Sequence, residues 1–181
     1  TAYLYLFLTV TFWAGNFIVG KLASFYDVPP FSLNFYRWFF AWLILAPFTI
    51  PEIIEKKEYI FKNYKLFIIL GVTSITIFNS IVYYSLNFTQ VISGVLMIST
   101  IPVMIMLFSS ILNIEKTNIF QIIGVIFSFA GVIMIITKAD IQILKNFDFN
   151  KGDITMVVAM FSWALYSTLL KRQKYEISQI S

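Results

Sequence analysis

Long uncharged stretches dominate the chain and predict helices that cross a membrane. Residues 2–20 carry no charge, residues 31–49 carry only Arg37, and residues 66–114 form one uninterrupted uncharged run. A helix needs about 20 apolar residues to cross about 30 Å of hydrocarbon. The third run is more than twice that length, so it must contain two spans.

Polar clusters mark the turns between these spans. Asn87, Thr89 and Gln90 interrupt the longest run and divide it in two. Charged residues close the other apolar segments, and Pro29 and Pro30 favour a turn after the first one. The predicted spans are therefore residues 2–20, 31–49, 66–86, 91–112, 119–136 and 153–170.

Composition supports a membrane protein and excludes several kinds of chemistry. Hydrophobic residues make up 59% of the chain and charged residues 12%, whereas soluble domains have about 45–50% and about 25%. The chain has no Cys and no His, which excludes disulfides, His-ligated metals and Ser/Cys–His catalysis. No phosphate-binding Gly-Lys loop is present, so direct ATP drive is not expected. We expect an all-α polytopic membrane protein that is not an enzyme, with no cofactor, metal or nucleic-acid partner.

The distribution of Lys and Arg predicts the orientation. With the N-terminus in the cytoplasm, more basic residues fall on the cytoplasmic side than outside, as the positive-inside rule requires. The basic stretch at residues 52–65 is expected to contact lipid headgroups of the bilayer. We therefore predict a multi-pass protein of the inner (plasma) membrane with a cytoplasmic N-terminus.

A short motif occurs twice. Trp13-Ala14 and Lys21 in the first span recur at the same spacing as Trp163-Ala164 and Lys171 in the sixth. Five spans separate the copies, so the second copy enters the membrane from the opposite side, as in inverted-repeat transporters. Coincidence between two apolar helices is the alternative explanation.

Spans four and five carry a recognisable set of motif residues. The set is Ser93-Gly94-Val95-Leu96, Pro102, Glu115-Lys116, Gln121, Gly124 and Gly131-Val132, preceded by Trp13, Asn16, Lys21 and Arg37. This pattern resembles the EamA repeat of the drug/metabolite transporter superfamily. The resemblance implies ten helices in two inverted five-helix repeats around a central cavity. It also implies export or exchange of amino acids or related metabolites by alternating access.

The resemblance also implies a domain organisation. Residues 2–137 would be the first five-helix repeat, residues 138–152 an extracytoplasmic loop, and residues 153–181 the first helix of a second, truncated repeat. The six predicted helices would then be the first part of a ten-helix transporter.

Arg37 is the most informative polar residue, because a charge inside a span costs at least a few kcal/mol unless it pairs or reaches water. No acidic residue within a span offers a partner. The guanidinium either binds a substrate carboxylate or phosphate, or it donates to helix-end carbonyls or snorkels outward to the membrane interface. Lys21 lies near the same level and either adds positive potential or anchors the first helix.

Other polar and aromatic residues are candidates for a substrate site. Asn16 and Trp13 share one helix face, and Asn79 and Tyr83 form an i, i+4 pair. Such groups would contact substrate or hold helices together. The complete candidate set is Trp13, Asn16, Lys21, Arg37, Asn79, Tyr83, Met97, Trp163 and Tyr166. The small-residue stripe Gly124, Ser128 and Gly131 predicts close helix packing instead.

Three functions compete at this point. The first is a transporter of a small metabolite, which would carry an anionic group if Arg37 binds it. The second is a non-transporting membrane subunit or a half-transporter that completes itself by self-association. The third is an intramembrane enzyme acting on lipid, which would need a nucleophile–base pair or acidic metal ligands that the spans do not supply.

Overall fold

The computed structural model describes residues 2–114, 117–136 and 150–180, and every regular element in them is helical. The third predicted span is a composite of α-helical and π-helical segments. The elements are α1 (Ala2–Phe25), α2 (Pro30–Glu55), α3 (Lys57–Lys62), α4 (Tyr64–Gly71), a π-helix (Val72–Asn79), α5 (Ser80–Ser85), α6 (Val91–Ile98), α7 (Ile101–Ile111), α8 (Ile119–Ile136) and α9 (Lys151–Ile180).

Four helical stretches within the described residues are long and apolar enough to cross a membrane. They are Tyr3–Phe25, Pro30–Glu55, Tyr64–Ser85 and Lys151–Arg172. The all-helical prediction is confirmed, and these four stretches coincide with predicted spans. The other two predicted spans correspond to shorter apolar helices, so the count of six stays a prediction. Most of the predicted outer loop, residues 137–149, lies outside the described residues.

The structure divides the predicted span at residues 91–112 into two helices. The structure breaks it between α6 and α7, and Pro102 lies in the first turn of α7. Proline lacks an N–H group and disfavours helical geometry at the residue before it, so it favours a helix start. The Thr100 hydroxyl donates to the Met97 carbonyl at 2.7 Å and closes the last turn of α6.

The turn between α1 and α2 depends on one left-handed residue. Asp27 has φ 53°, a conformation that Asp and Asn adopt more readily than other non-glycine residues. The N–H of Val28 donates to the Ala23 carbonyl at 3.0 Å, and the N–H of Asp27 donates to Ser24 at 3.3 Å. These two bonds are those of a Schellman motif, and they bring α2 back alongside α1.

The buried core lies where α9 meets the third span and α7. Its apolar members include Tyr83, Leu86, Met156, Met160 and Ala164, each at most 2% exposed. Helices α2 and α8 lie at the periphery with most of their large apolar side chains exposed. Helix α1 reaches this core through the buried Phe17, and the place where α1, the end of α5 and the start of α9 meet is called the central crossing.

The start of α9 is fixed by a capping box. The Asp153 N–H donates to Asn150 Oδ1 at 3.0 Å, and the Asn150 N–H donates to Asp153 Oδ2 at 3.2 Å. This reciprocal pair satisfies helix-end donors. The Thr89 hydroxyl donates to the other oxygen of the buried Asp153 at 2.7 Å, which ties α9 to the end of the third span.

Candidate functional site

The middle of the third span is π-helical, and neighbouring side chains hold its backbone. Three consecutive carbonyls each accept a side-chain hydrogen bond, within the segment and from two other helices. The donors are Ser162 Oγ to Thr73 O at 2.8 Å, Asn79 Nδ2 to Ser74 O at 2.9 Å, and Asn34 Nδ2 to Ile75 O at 3.0 Å. π-Helical turns are rare and occur frequently at functional sites.

A hydrogen-bonded chain runs from Arg37 on α2 to Asn16 on α1. Arg37 Nη1 donates to the Tyr83 hydroxyl and also to Asn79 Oδ1, the latter at 3.2 Å. The Tyr83 hydroxyl in turn donates to Asn16 Oδ1 at 2.5 Å. Residues from three spans are thus joined through the third span.

The hydrogen-bond and ring partners of Arg37 are neutral in the part of the chain that the structure describes. They are an amide, a phenol and the Trp38 ring, whose centroid lies 5.5 Å from the guanidinium carbon. None of them neutralises the positive charge. The arrangement holds the guanidinium in place while leaving its charge available to an anion.

A cavity of about 230 Å³ lies beside this chain, between α1, the π-helix and α9. Its wall combines amides with large aromatic rings. Trp163 packs against Trp13 at 5.5 Å, Phe78 at 4.5 Å and Tyr166 at 5.1 Å between ring centroids. The lining residues are Trp13, Asn16, Phe17, Trp38, Ser74, Ile75, Phe78, Asn79, Ile98, Ile101, Trp163 and Tyr166. Such a wall suits a small molecule that has both apolar and polar groups.

Comparison with known proteins adds the family. Residues 1–137 match the EamA-like transporter family. The chain belongs to this family. The resemblance drawn from the motif residues is therefore confirmed.

Curated relatives of this EamA-like chain are named as transporters. It is 29% identical over 117 residues to "Uncharacterized transporter YyaM" of Bacillus subtilis, which covers 65% of this chain and 38% of that protein. It is 27% identical over 170 residues to an "Uncharacterized transporter" of Archaeoglobus fulgidus, which covers 92% of this chain and 56% of that one. The chain thus spans little more than half of these relatives at most. No solved structure matches it.

The structure brings together most of the residues that the sequence singled out in this EamA-like chain. Five of them line the cavity, namely Trp13, Asn16, Asn79, Trp163 and Tyr166. Arg37 and Tyr83 join the cavity wall through hydrogen bonds, and Tyr83 itself is 2% exposed.

Two candidate residues lie elsewhere. Met97 is buried in the apolar core and is absent from the cavity wall. Lys21 Nζ donates to the carbonyls of Leu86 at 2.7 Å and Thr89 at 3.0 Å, at the end of the third span. Its contacts match the anchoring alternative, because a cation at a helix C-terminus satisfies carbonyls that lack backbone donors.

Sequence reasoning missed several wall residues, above all Trp38 and Ser74. Trp38 lies in an aromatic-rich segment where no ring stands out, although it follows Arg37 and lies four residues after Asn34. That spacing on one helix face was the available signal. Among the described residues no group of three or more Asp or Glu side chains is placed to hold a metal ion.

Proposed function

We propose that this protein carries a small metabolite with an apolar part and an anionic group, such as an amino acid or a related compound. The substrate binds in the cavity between α1, the π-helix and α9. Its carboxylate or phosphate pairs with Arg37, and its apolar part rests on Trp13 and Trp163. Transport proceeds by alternating access, as an exporter or exchanger.

One observation carries this proposal. Arg37 donates to Asn79 and to Tyr83, and within the described part of the chain no carboxylate pairs with it. An uncompensated charge within a span is costly. A bound anion removes this cost, and the low-dielectric surroundings strengthen the attraction. The hydrogen bonds that run from Arg37 through Tyr83 to Asn16 then connect anion binding to the cavity wall.

The transport cycle needs a second repeat. The proposal includes an inverted pair of five-helix units in the complete carrier, with the N-terminus in the cytoplasm of the inner membrane. The edge-to-face contact of Trp13 with Trp163 supports this arrangement, because pseudo-symmetric residues meet near the repeat axis. The competing arrangement is a half-transporter that pairs with a second copy of itself. Labelling of single cysteines in residues 137–149 from either side of the membrane tests the orientation.

The decisive experiment replaces Arg37 in purified protein reconstituted into liposomes. Arg37→Lys keeps the charge but loses the planar fork, and Arg37→Gln loses both. We expect both variants to lose transport, with Arg37→Gln at or near background, because a single charge-assisted contact is worth about tenfold or more in affinity. The melting temperature of each variant is measured on the same sample.

Tyr83→Phe and Tyr36→Phe form a matched pair. Tyr83→Phe removes the hydroxyl that links Arg37 to Asn16, whereas Tyr36 is 57% exposed on the same helix as Arg37. We expect transport to fall for Tyr83→Phe and to stay unchanged for Tyr36→Phe. Normal transport by a folded Arg37→Gln protein would refute the role of Arg37.

A further inference from the structure

A second cavity lies on the outer side of the same wall. It is a groove of about 380 Å³ between α2 and the third span. The groove and the central cavity share two lining residues, Trp38 and Ile75. The Trp38 indole and the Ile75 side chain therefore border both the central cavity and the groove.

The groove is lined mainly by aromatic side chains of α2. Phe31, Phe35, Phe39 and Trp42 are each at least 41% exposed, on a helix that is apolar enough to lie in a bilayer. Helix α9 packs mainly against α7, α5 and the π-helix among the described residues. The groove accordingly opens on the exposed aromatic face of α2.

Two polar atoms at this wall are buried and lack a hydrogen-bond partner within the described part of the chain. They are Trp38 Nε1, a donor, and Asn34 Oδ1, an acceptor. Asn34 is only 6% exposed and lines the groove. A buried polar atom without a partner lowers the stability of the fold by about 1–3 kcal/mol. Both atoms therefore favour binding of a ligand that offers the complementary hydrogen-bonding group.

The orientation of the Asn34 amide is fixed by its surroundings. Its nitrogen donates to the Ile75 carbonyl at 3.0 Å and to Ser80 Oγ at 2.9 Å. Turning the amide over would set its oxygen against the Ile75 carbonyl oxygen, which cannot donate. The unpartnered atom is therefore the oxygen, and the same bonds hold α2 against the π-helix.

We propose that the groove between α2 and the third span is a lateral portal, through which amphipathic molecules dissolved in the bilayer reach the central cavity. Trp38 and Ile75 form its gate. The occupant is a small molecule with an apolar body, a donor group for Asn34 Oδ1 and an acceptor group for Trp38 Nε1. The portal adds a route to the proposed transport site. It rests on the proposed function only in taking the central cavity to be the substrate site.

The test is the labelling of a cysteine placed inside the cavity, in intact protein in lipid nanodiscs with no other cysteine. Ser74→Cys puts the thiol in the central cavity, since Ser74 lines that cavity and not the groove. N-phenylmaleimide partitions into the bilayer, and its trimethylammonium derivative stays in water. Trp38→Ala is expected to speed labelling by N-phenylmaleimide about tenfold or more, because truncating a large side chain leaves a gap, and to leave labelling by the cationic reagent unchanged.

Trp42→Ala is the matched control, because Trp42 lines the groove but not the central cavity. It is expected to leave both labelling rates unchanged. If Trp38→Ala fails to fold, Ile75→Ala opens the same gate from the opposite side, with the same expectation.

Two outcomes would overturn the portal. If N-phenylmaleimide gains no speed in the gate variants, acyl chains alone occupy the groove. If both reagents gain equally, the cavity has opened to water instead. Labelling does not depend on transport, so a refuted portal leaves the proposed carriage of an anionic metabolite untouched.

Discussion

Two sets of glycines in this molecule look alike in the sequence and differ in their surroundings. A Cβ added at Gly20 would lie 2.7 Å from a ring carbon of Tyr83, and one at Gly152 would lie 2.7 Å from the Ser85 carbonyl oxygen. A Cβ added at Gly124 or Gly131 on α8 would meet nothing within 4 Å. The close helix packing expected of the α8 stripe is thus absent from the described part of the molecule, where isolated glycines of α1 and α9 provide it.

The difference shows that spacing of small residues does not identify a helix contact in a membrane protein. Lipid tails are as apolar as leucine, so packed and lipid-facing surfaces have similar composition. Polar bonds are the better guide. The central crossing joins Lys21 to the Leu86 carbonyl and Thr89 to Asp153, and the close glycines lie beside these bonds.

The largest expected effect is that of Gly152→Ala. The new methyl group would collide with a backbone oxygen, which cannot turn aside as a flexible side chain does. Overpacking of this kind costs about 1–3 kcal/mol, and we expect the upper end of that range. The loss is measured by heating the protein in detergent and recording how much of its monodisperse peak remains on size-exclusion chromatography.

Gly124→Ala is the control on the peripheral helix. It meets no neighbour, and alanine favours a helix by up to about 1 kcal/mol over glycine. Its melting temperature should stay the same or rise. Equal destabilisation by the two variants would mean that α8 packs as tightly as the central crossing, and the contrast would fail.

A smaller loss is expected from Lys21→Met. The methionine keeps an apolar stem but removes the two hydrogen bonds to Leu86 and Thr89. Hydrogen bonds from a charged group contribute about 1.5–3 kcal/mol each, and part-burial places the sum near 2–3 kcal/mol. We expect a lower melting temperature, with residual transport in whatever fraction stays folded.

Lys65→Met is the matched variant, since Lys65 is exposed and its side chain makes no hydrogen bond to another described residue. It should leave the melting temperature unchanged. If Lys21→Met retained full stability but lost transport, Lys21 would act on substrate, and its anchoring role would be wrong.

Polar residues within the apolar spans made most of the candidate site predictable. Asn16, Asn79 and Tyr83 stood out because an amide or a phenol inside a membrane needs partners. The structure joins them to Arg37 by hydrogen bonds. Their roles in transport stay predictions.

Other features of the structure had a weak sequence signal or none. Residues 72–79 mix apolar with polar side chains, and their hydrophobic periodicity does not distinguish a π-helix from an α-helix. The gate residue Trp38 was hidden among other aromatic residues. Pro102 lies in the first turn of α7, and a proline inside an apolar span is a sequence signal for the break between α6 and α7.

The smallest expected effect is that of Glu52→Gln, which removes an ion pair on the exposed periphery and so tests the contrast with the buried central crossing. Lys56 Nζ lies 2.6 Å from Glu52 Oε1, closer than Lys21 Nζ lies to the Leu86 carbonyl, yet the two side chains are 59% and 65% exposed. The hydrogen bond to Glu52 raises the pKa of Lys56, so Lys56 is protonated at neutral pH and loses its proton as the pH rises through that raised value. Water and salt screen such a pair until it contributes almost nothing, and we expect Glu52→Gln to leave the melting temperature unchanged at low and high salt. A drop as large as that of Lys21→Met would show that bond length, and not burial at the central crossing, decides which lysine stabilises the protein.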